Sequence, residues 1–317
     1  AMGAGRSKEV TVGFHSEKNR NERKDRNEDR VSFVSKSDVH CLGVFDGHGG
    51  DEASEFVKTK LPQLLLEKLA TASDPEAALL DSFLSTDVEF LRSTTASAGT
   101  CANICLVLDG VLYCANAGDC RAVLCRGGEV VVLSEDHKAT TASERARLEE
   151  HGWPVFQGRV FGTLAVTRAL GDRDFKRSHD EIRQQTEAGS EAPLEYMENP
   201  RALETPVSAK PEVKRVELTA ADEFVIIGCD GLWDCLSNQE VVGMVRHLLG
   251  QIGKSSKDVL TRVARAVANQ AGQKTGYHDD ITIAIMALHK TLVIVFMQLS
   301  RLQSWVNIAY CSIVTTS

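Results

Sequence analysis

Hydrophobic positions along this chain follow two periods. Short apolar or alternating runs at residues 11–14, 31–34, 41–45, 104–108, 111–115, 121–125, 129–133, 224–229 and 281–286 predict strands. Asp109-Gly110 and Gly127-Gly128 each separate two such runs, a hairpin signal. Elsewhere the spacing is helical. Ala53, Phe56, Val57, Leu61, Leu64, Leu65 and Leu69 mark one helix, with a bend expected at Pro62. Asp74-Pro75 opens a second, with Leu80, Phe83, Leu84, Val88 and Leu91 on one face. A short helix over 143–150 is stopped by Gly152. Ser237 and Glu240 form a capping box before Val241, Val242, Val245, Leu248 and Leu249, in a helix expected to end at Gly250. A last helix over 258–270 turns Val259, Leu260, Val263 and Val267 inward. From Lys176 to Lys210 the periodicity lapses, which predicts a surface insertion with a short helix near 180–186.

Composition narrows the class. A chain of 317 residues with 43% hydrophobic content can bury one large core or two smaller ones. A net charge of −8 opposes nucleic-acid binding, which needs a cationic face, and with it a two-metal nuclease. The nine cysteines are scattered without a C-x-x-C pair, as expected of reduced cysteines used as small hydrophobes. Residues 1–9 are expected to be a tag remnant or a flexible N-terminus; read from Met2, they also fit the acylation pattern that would lipidate Gly3. Residues 289–317 form an apolar extension in which Arg301, Gln303 and Asn307 interrupt any membrane-spanning run. Membrane contact is therefore expected only through an acylated Gly3 or this tail, and otherwise a monomer in the cytoplasm or nucleus.

Chemistry concentrates at strand ends. Val44-Phe45-Asp46-Gly47-His48-Gly49-Gly50 carries a strand into a glycine-rich turn holding a carboxylate and a histidine. Glu28 and Asp29 stand at the entrance of another strand. Asp230 ends the strand at 224–229, and Asp279 with Asp280 leads into the last one. Several carboxylates in one small volume cannot all stay ionised without countercharge. Oxygen donors of this kind favour magnesium or manganese over zinc.

Phe45-Asp46-Gly47-His48-Gly49-Gly50, Gly118-Asp119-x-Arg121, Thr167-Arg168-Ala169-Leu170-Gly171-Asp172, Asp230-Gly231-Leu232-Trp233-Asp234 and Asp279-x-Ile281-Thr282 together resemble the motif set of the type-2C metal-dependent serine/threonine protein phosphatases. The likeness runs over residues 10–288. It implies an α+β fold, a sandwich of two antiparallel β-sheets flanked by helices in four αββα layers, which agrees with the hairpins and amphipathic helices. It implies two Mn2+ or Mg2+ ions, with Asp46 bridging them, Asp230 and Asp279 completing one, and Glu28 with the Gly47 carbonyl completing the other. Asp29 would support the bound water, His48 would act as general acid, and Asp119 with Asp234 would match a weaker third ion. The implied reaction is attack of a metal-bridging hydroxide on phosphoserine or phosphothreonine in protein substrates.

Two positions depart from the pattern. Lys24 stands where the family usually has an arginine that grips phosphate, and a lysine offers a point charge in place of a fork. Arg168 is the further candidate for the substrate phosphate. Asp280 stands where asparagine is frequent. The alternative reading is a catalytically weak homologue acting as a regulatory binding module.

Overall fold

The computed structural model describes residues 10–18, 26–182, 195–200, 204–252, 256–274 and 279–288. Over these the chain forms β1 (Thr11–Glu17), β2 (Arg30–Lys36), β3 (Val39–His48), α1 (Glu52–Leu69), α2 (Pro75–Ser93), β4 (Gly99–Leu108), β5 (Val111–Ala117), β6 (Arg121–Arg126), β7 (Glu129–Val132), α3 (Ala142–Glu150), β8 (Val155–Phe156), β9 (Arg159–Val160), β10 (Leu170–Gly171), β11 (Glu212–Glu217), β12 (Asp222–Gly228), α4 (Asp230–Trp233), α5 (Asn238–Ile252), α6 (Lys257–Gly272) and β13 (Ile281–Ala287).

Local chemistry accounts for the boundaries. Asp109 and Gly110 both adopt positive φ, 50° and 77°, as a two-residue turn between β4 and β5 requires. The Asp74 side chain accepts the Glu76 N–H, and Pro75 stands at the start of α2. Ser237 and Glu240 cap α5 reciprocally: Glu240 Oε2 accepts the Ser237 N–H at 2.7 Å, and the Glu240 N–H reaches Ser237 Oγ at 3.3 Å.

Two large antiparallel sheets result, in the orders β1-β13-β12-β6-β7 and β11-β5-β4-β3-β2, with β10 added to β4, and β8 pairs with β9 as a separate two-stranded ribbon. Alternation decides what each strand face meets. On β12, Val225 and Ile227 join Leu42, Val44, Leu124 and Met286 between the sheets. Phe224 and Ile226 face outward onto α5 and α6, packing against Val245, Leu260 and Val267. On β3, Cys41 and Phe45 face α1 and α2 instead. Strands buried on both faces read as unbroken apolar runs, which is why these were the clearest in the sequence. The four αββα layers are those expected.

Details differ. α1 runs unbroken through Pro62, which is buried, and α5 continues past Gly250 to Ile252. The 176–210 stretch is not confined to the surface: Lys176, Tyr196, Val207 and Ala209 are buried. It also leads into β11, an edge strand whose polar sequence hid it. Residues 179–182 are helical, while 183–186, Gly3, Lys24 and the 289–317 extension lie outside the described residues.

Register sets up the site. Arg30 pairs with Phe45, so Glu28 and Asp29 arrive beside Asp46. Gly228 pairs with Ile283, which brings Asp230 to Asp279 and Asp280. One rim of the sandwich thus collects acids from both sheets. The closeness of α6 to β1 depends on Gly13, where a Cβ would lie 2.5 Å from Leu260 Cβ and 2.6 Å from its carbonyl carbon. Gly13→Ala is expected to cost about 1–3 kcal/mol in urea unfolding, through overpacking. An unchanged midpoint would mean that the helix can retreat freely.

Candidate active site

Asp46, at the end of β3, is the hinge of the cluster. Its ligand atoms and those of Asp29 and Cys229 lie within 4.8 Å of one another, and the same holds for Asp46, Asp119 and Asp230. Burial raises the Asp29 carboxyl to about 6, with the Asp280 charge adding to the rise. Burial, then the charges of Asp29, Asp230, Asp119 and Asp279, push Asp46 well above the ordinary range. Asp230 is raised in the same way, first by burial and then by Asp119 and Asp279. Asp279 therefore shares the field of the cluster although it stands on the opposite sheet from Asp46.

Second contacts hold these acids in place. The Glu28 N–H donates to Asp280 Oδ2 at 3.0 Å, and the Glu28 carbonyl accepts from Ser54 Oγ at 2.5 Å. Glu28 Oε1 accepts the Gly50 N–H at 2.8 Å. A Cβ at Gly47 would lie 2.6 Å from the Glu28 carbonyl oxygen and 2.9 Å from Ser54 Oγ, so only glycine lets β3 come this close. The departure at Asp280 is thus put to use as an acceptor for the backbone of Glu28.

The donor set fits hard divalent cations. Asp29 Oδ2 is buried with no hydrogen-bond partner, and buried carboxylates sharing a site need either protons or countercharge. The oxygen-rich set suits a cation of the magnesium or manganese kind.

Three residues take places the sequence did not predict. Arg168 does not serve the acidic rim. Its Nη2 and Nε donate to Glu144 Oε1 at 2.6 and 3.0 Å, and Nη1 reaches the Lys210 carbonyl at 3.2 Å. Glu144 is almost wholly buried; burial opposes its charge, yet Arg168 and Arg147 bring its carboxyl down to about 2. A buried carboxylate needs such partners, and Arg168, expected at a substrate phosphate, is found committed to Glu144.

Lys138 was not anticipated, since Glu135-Asp136-His137-Lys138 reads as an ordinary polar loop. Its Nζ lies 3.6 Å from Asp119 and 3.4 Å from Asp234. Burial works against its charge, but Asp119, Asp234 and Asp230 together raise its pKa. Asp234 thus reaches the cluster by way of an ammonium group.

Asp172, quoted only as the end of a motif, carries His48: both of its oxygens lie 2.9 Å from His48 Nε2. Burial alone would lower the His48 pKa, but the Asp172 carboxylate, with Asp119 and Glu28 behind it, raises it. Its sequence signal was an acid following a strand end, the same signal that marked Asp46 and Asp230. Arg121 is a brace, with a fork onto Asp136 at 2.9 and 2.7 Å and its guanidinium 5.6 Å from the Trp233 ring centroid.

A four-layer αββα sandwich whose rim gathers buried carboxylates defines a class of protein built to hold divalent cations. The protein phosphatase 2C family model matches residues 4–280. A probable protein phosphatase 2C 54 of Oryza sativa subsp. japonica is 38% identical over 256 residues, 81% of this chain and 64% of the relative. Protein phosphatase 2C 1 of Paramecium tetraurelia is 34% identical over 270 residues, 78% of this chain and 83% of the relative. A crystal structure of a phosphatase from a pathogenic strain of Toxoplasma gondii superimposes with a TM-score of 0.68 at 20% identity, covering 89% of this chain and 95% of that one. A Caenorhabditis elegans sex-determining protein gives 0.69 at 22% identity, covering 90% and 67%. The chain belongs to the protein phosphatase 2C family. It spans a little under two thirds of the first rice relatives it matches, 64%, 65% and 62% of their lengths.

The raised carboxyls make a stability prediction. A carboxyl that holds its proton more tightly in the folded than in the unfolded state stabilises the protein below its unfolded pKa, about 4. That contribution fades as pH rises through the folded value, which is about 6 for Asp29 and is likewise raised well above the ordinary carboxylate range for Asp46 and Asp230. Metal-free protein should therefore melt lower at about pH 7.5 than at about pH 5, and added Mg2+ should restore more at the higher pH. Asp46→Asn should raise the melting temperature of the metal-free protein at about pH 7.5. A lower one would contradict the electrostatic reading of the cluster.

Proposed function

We propose that the chain is a protein serine/threonine phosphatase dependent on two manganese or magnesium ions, acting on phosphoserine and phosphothreonine in protein substrates. The observation that carries this reading is the sharing of Asp46 between two sets of ligand atoms, each spanning no more than 4.8 Å. Such ions, when bound, neutralise phosphate charge and lower the pKa of water enough to supply a nucleophile near neutral pH.

The chain's own residues divide the remaining work. Asp46 would hold both ions, Asp230 and Asp279 would serve one, and Glu28 with the Gly47 carbonyl would serve the other. Asp29, buried with one oxygen unpartnered, orients the attacking water. His48 protonates the leaving serine or threonine oxygen, a role suited to an imidazole whose pKa is raised by neighbouring acids. Asp119 and Asp234 form a weaker third position, where the Lys138 ammonium already supplies positive charge.

Purified protein should hydrolyse para-nitrophenyl phosphate and a phosphothreonine peptide only with added Mn2+ or Mg2+, and EDTA should abolish both activities. Asp46→Ala and Asp230→Ala should each lose at least about 100-fold in kcat/KM while keeping a cooperative unfolding transition. That loss corresponds to at least about 3 kcal/mol of transition-state stabilisation. Wild-type turnover in either variant would remove the metal assignment.

A further inference from the structure

His48 belongs to β3, whereas Asp172 arrives from a distant part of the chain through a gap that the fold keeps open for it. In the sheet register His48 lies opposite Gly99 on β4, and Gly99 lies opposite Gly171 on β10. Gly99 therefore stands between the histidine and the acid. A Cβ built there would collide with the Asp172 carboxylate and with His48 Nε2. The bare backbone at this position is what lets the two side chains meet.

Asp172 itself is held from several sides. Its backbone is left-handed, φ 51° and ψ 51°, a conformation unfavourable for a residue other than glycine. Its N–H donates to the Ala98 carbonyl at 3.1 Å. Just before it, the Gly171 N–H donates to Asp87 Oδ1 at 2.6 Å, and Asp87 pairs with Lys176 at 3.2 Å. Both members of that ion pair are fully buried, and Lys176 Nζ also donates to the Ala169 carbonyl at 2.8 Å. Just after it, Arg173 donates to the carbonyls of Leu91 and Thr94. The segment is thus clamped to α2 on both sides of the one residue that faces His48. Packing alone gives no reason for so much restraint on a strained acid.

We propose that Asp172 is a positioning residue that selects which imidazole nitrogen of His48 gives up its proton. The inference rests on the phosphatase reading of the site. An ionised carboxylate only accepts, so Nε2 must carry hydrogen toward Asp172. That leaves Nδ1 to face the substrate. As a hydroxide oxygen from water bonds to phosphorus and the ester phosphorus–oxygen bond breaks, the electron pair of the broken bond goes to the leaving serine or threonine oxygen, which takes the Nδ1 proton of the imidazolium. The alcohol departs neutral. His48 is left as the Nε2–H tautomer, still bonded to Asp172, and regains its Nδ1 proton from solvent. The clamp of Asp87, Lys176 and Arg173 keeps the acceptor from following the ring if it swings.

The experiment uses the full chain with Mg2+, labelled with 15N-histidine, and reads the His48 tautomer by long-range proton–nitrogen correlation above its titration. Wild type should show the Nε2–H form. Asp172→Ala should lose that preference, and Asp172→Asn, which keeps an acceptor oxygen, should retain it. In kinetics, Asp172→Ala should lose at least about 100-fold in kcat on a phosphothreonine peptide, the scale of general acid catalysis. It should lose less than about 10-fold on para-nitrophenyl phosphate, whose leaving group needs no proton; Asp172→Asn should recover much of the peptide rate. Gly99→Ala, which separates the pair without removing the charge, should reproduce the split. An Nδ1–H tautomer in wild type, or a tautomer indifferent to Asp172→Ala, overturns the proposal; so does an equal loss on the two substrates. The tautomer is read without turnover, so protein lacking phosphatase activity but showing the expected tautomers would refute the phosphatase reading and leave the positioning role standing.

Discussion

Repulsion among buried acids at one rim of the sandwich is the constraint on which the rest of this structure turns. At 4.8 Å, the span of each ligand set, two full negative charges at an effective dielectric of 20 repel by on the order of 3 kcal/mol. A few such pairs together rival the whole stability of a typical domain, about 5–15 kcal/mol. The fold therefore keeps these groups protonated or supplies cations. Lys138 provides one positive charge, but it lies at Asp119 and Asp234, to one side of Asp46. Cations bound from solution would answer the remainder, and most fully at Asp46, where the two sets overlap.

The sandwich can tolerate this because the acids sit where its strands end. β3, β12 and β13 are packed on both faces, on β12 with Val225 and Ile227 toward the opposite sheet and Phe224 and Ile226 toward the helices. β2 is held as an edge strand by its pairing with β3. Register along those strands then fixes the positions of their ends. Shifting β2 by one residue against β3 would turn Val31 and Phe33 to the other face and carry Glu28 away from Gly47. Core packing and site geometry are in this sense one specification. The same rigidity places His48 at the last rung of the β3–β4 ladder, opposite the bare backbone of Gly99.

The reach of each interaction decides how much of this was legible in the sequence. Two-sided strands, the Asp109-Gly110 turn and the Ser237–Glu240 cap are local, and their patterns announced them. Asp46, Asp230, Glu28 with Asp29, and Asp279 could be singled out because each is an acid at the edge of an apolar run. Asp172 bears the same mark more faintly, since β10 is only Leu170–Gly171 and too short to read as a strand. Lys138 and Glu144 bear none. Apart from Arg147 beside Glu144, their partners lie farther along the chain, and a lysine in a polar loop looks the same whether it faces water or two aspartates. β11 was hidden for a related reason: as an edge strand with one side exposed, its Glu-Val-Lys-Arg-Val-Glu resembles a loop.

Arg168 illustrates the consequence of committing positive charge to structure. Both motif arginines within the described residues are bound to carboxylates, Arg121 to Asp136 and Arg168 to Glu144. Their forks hold loops against the sheets, and only Arg121, which lies in the field of Asp234 and Asp119, also adds positive charge at that side of the rim. A phosphate approaching a metal-free rim would therefore meet the uncompensated carboxylates around Asp46, in a chain that already carries a net charge of −8. Bound cations invert the sign of that local field. For the phosphatase proposed here, cation binding and phosphate binding are thus linked: whatever strengthens one strengthens the other by the same factor. Metal dependence then resides in substrate recognition as much as in the chemistry, and the arginines can be given over to the framework because the cations take their place.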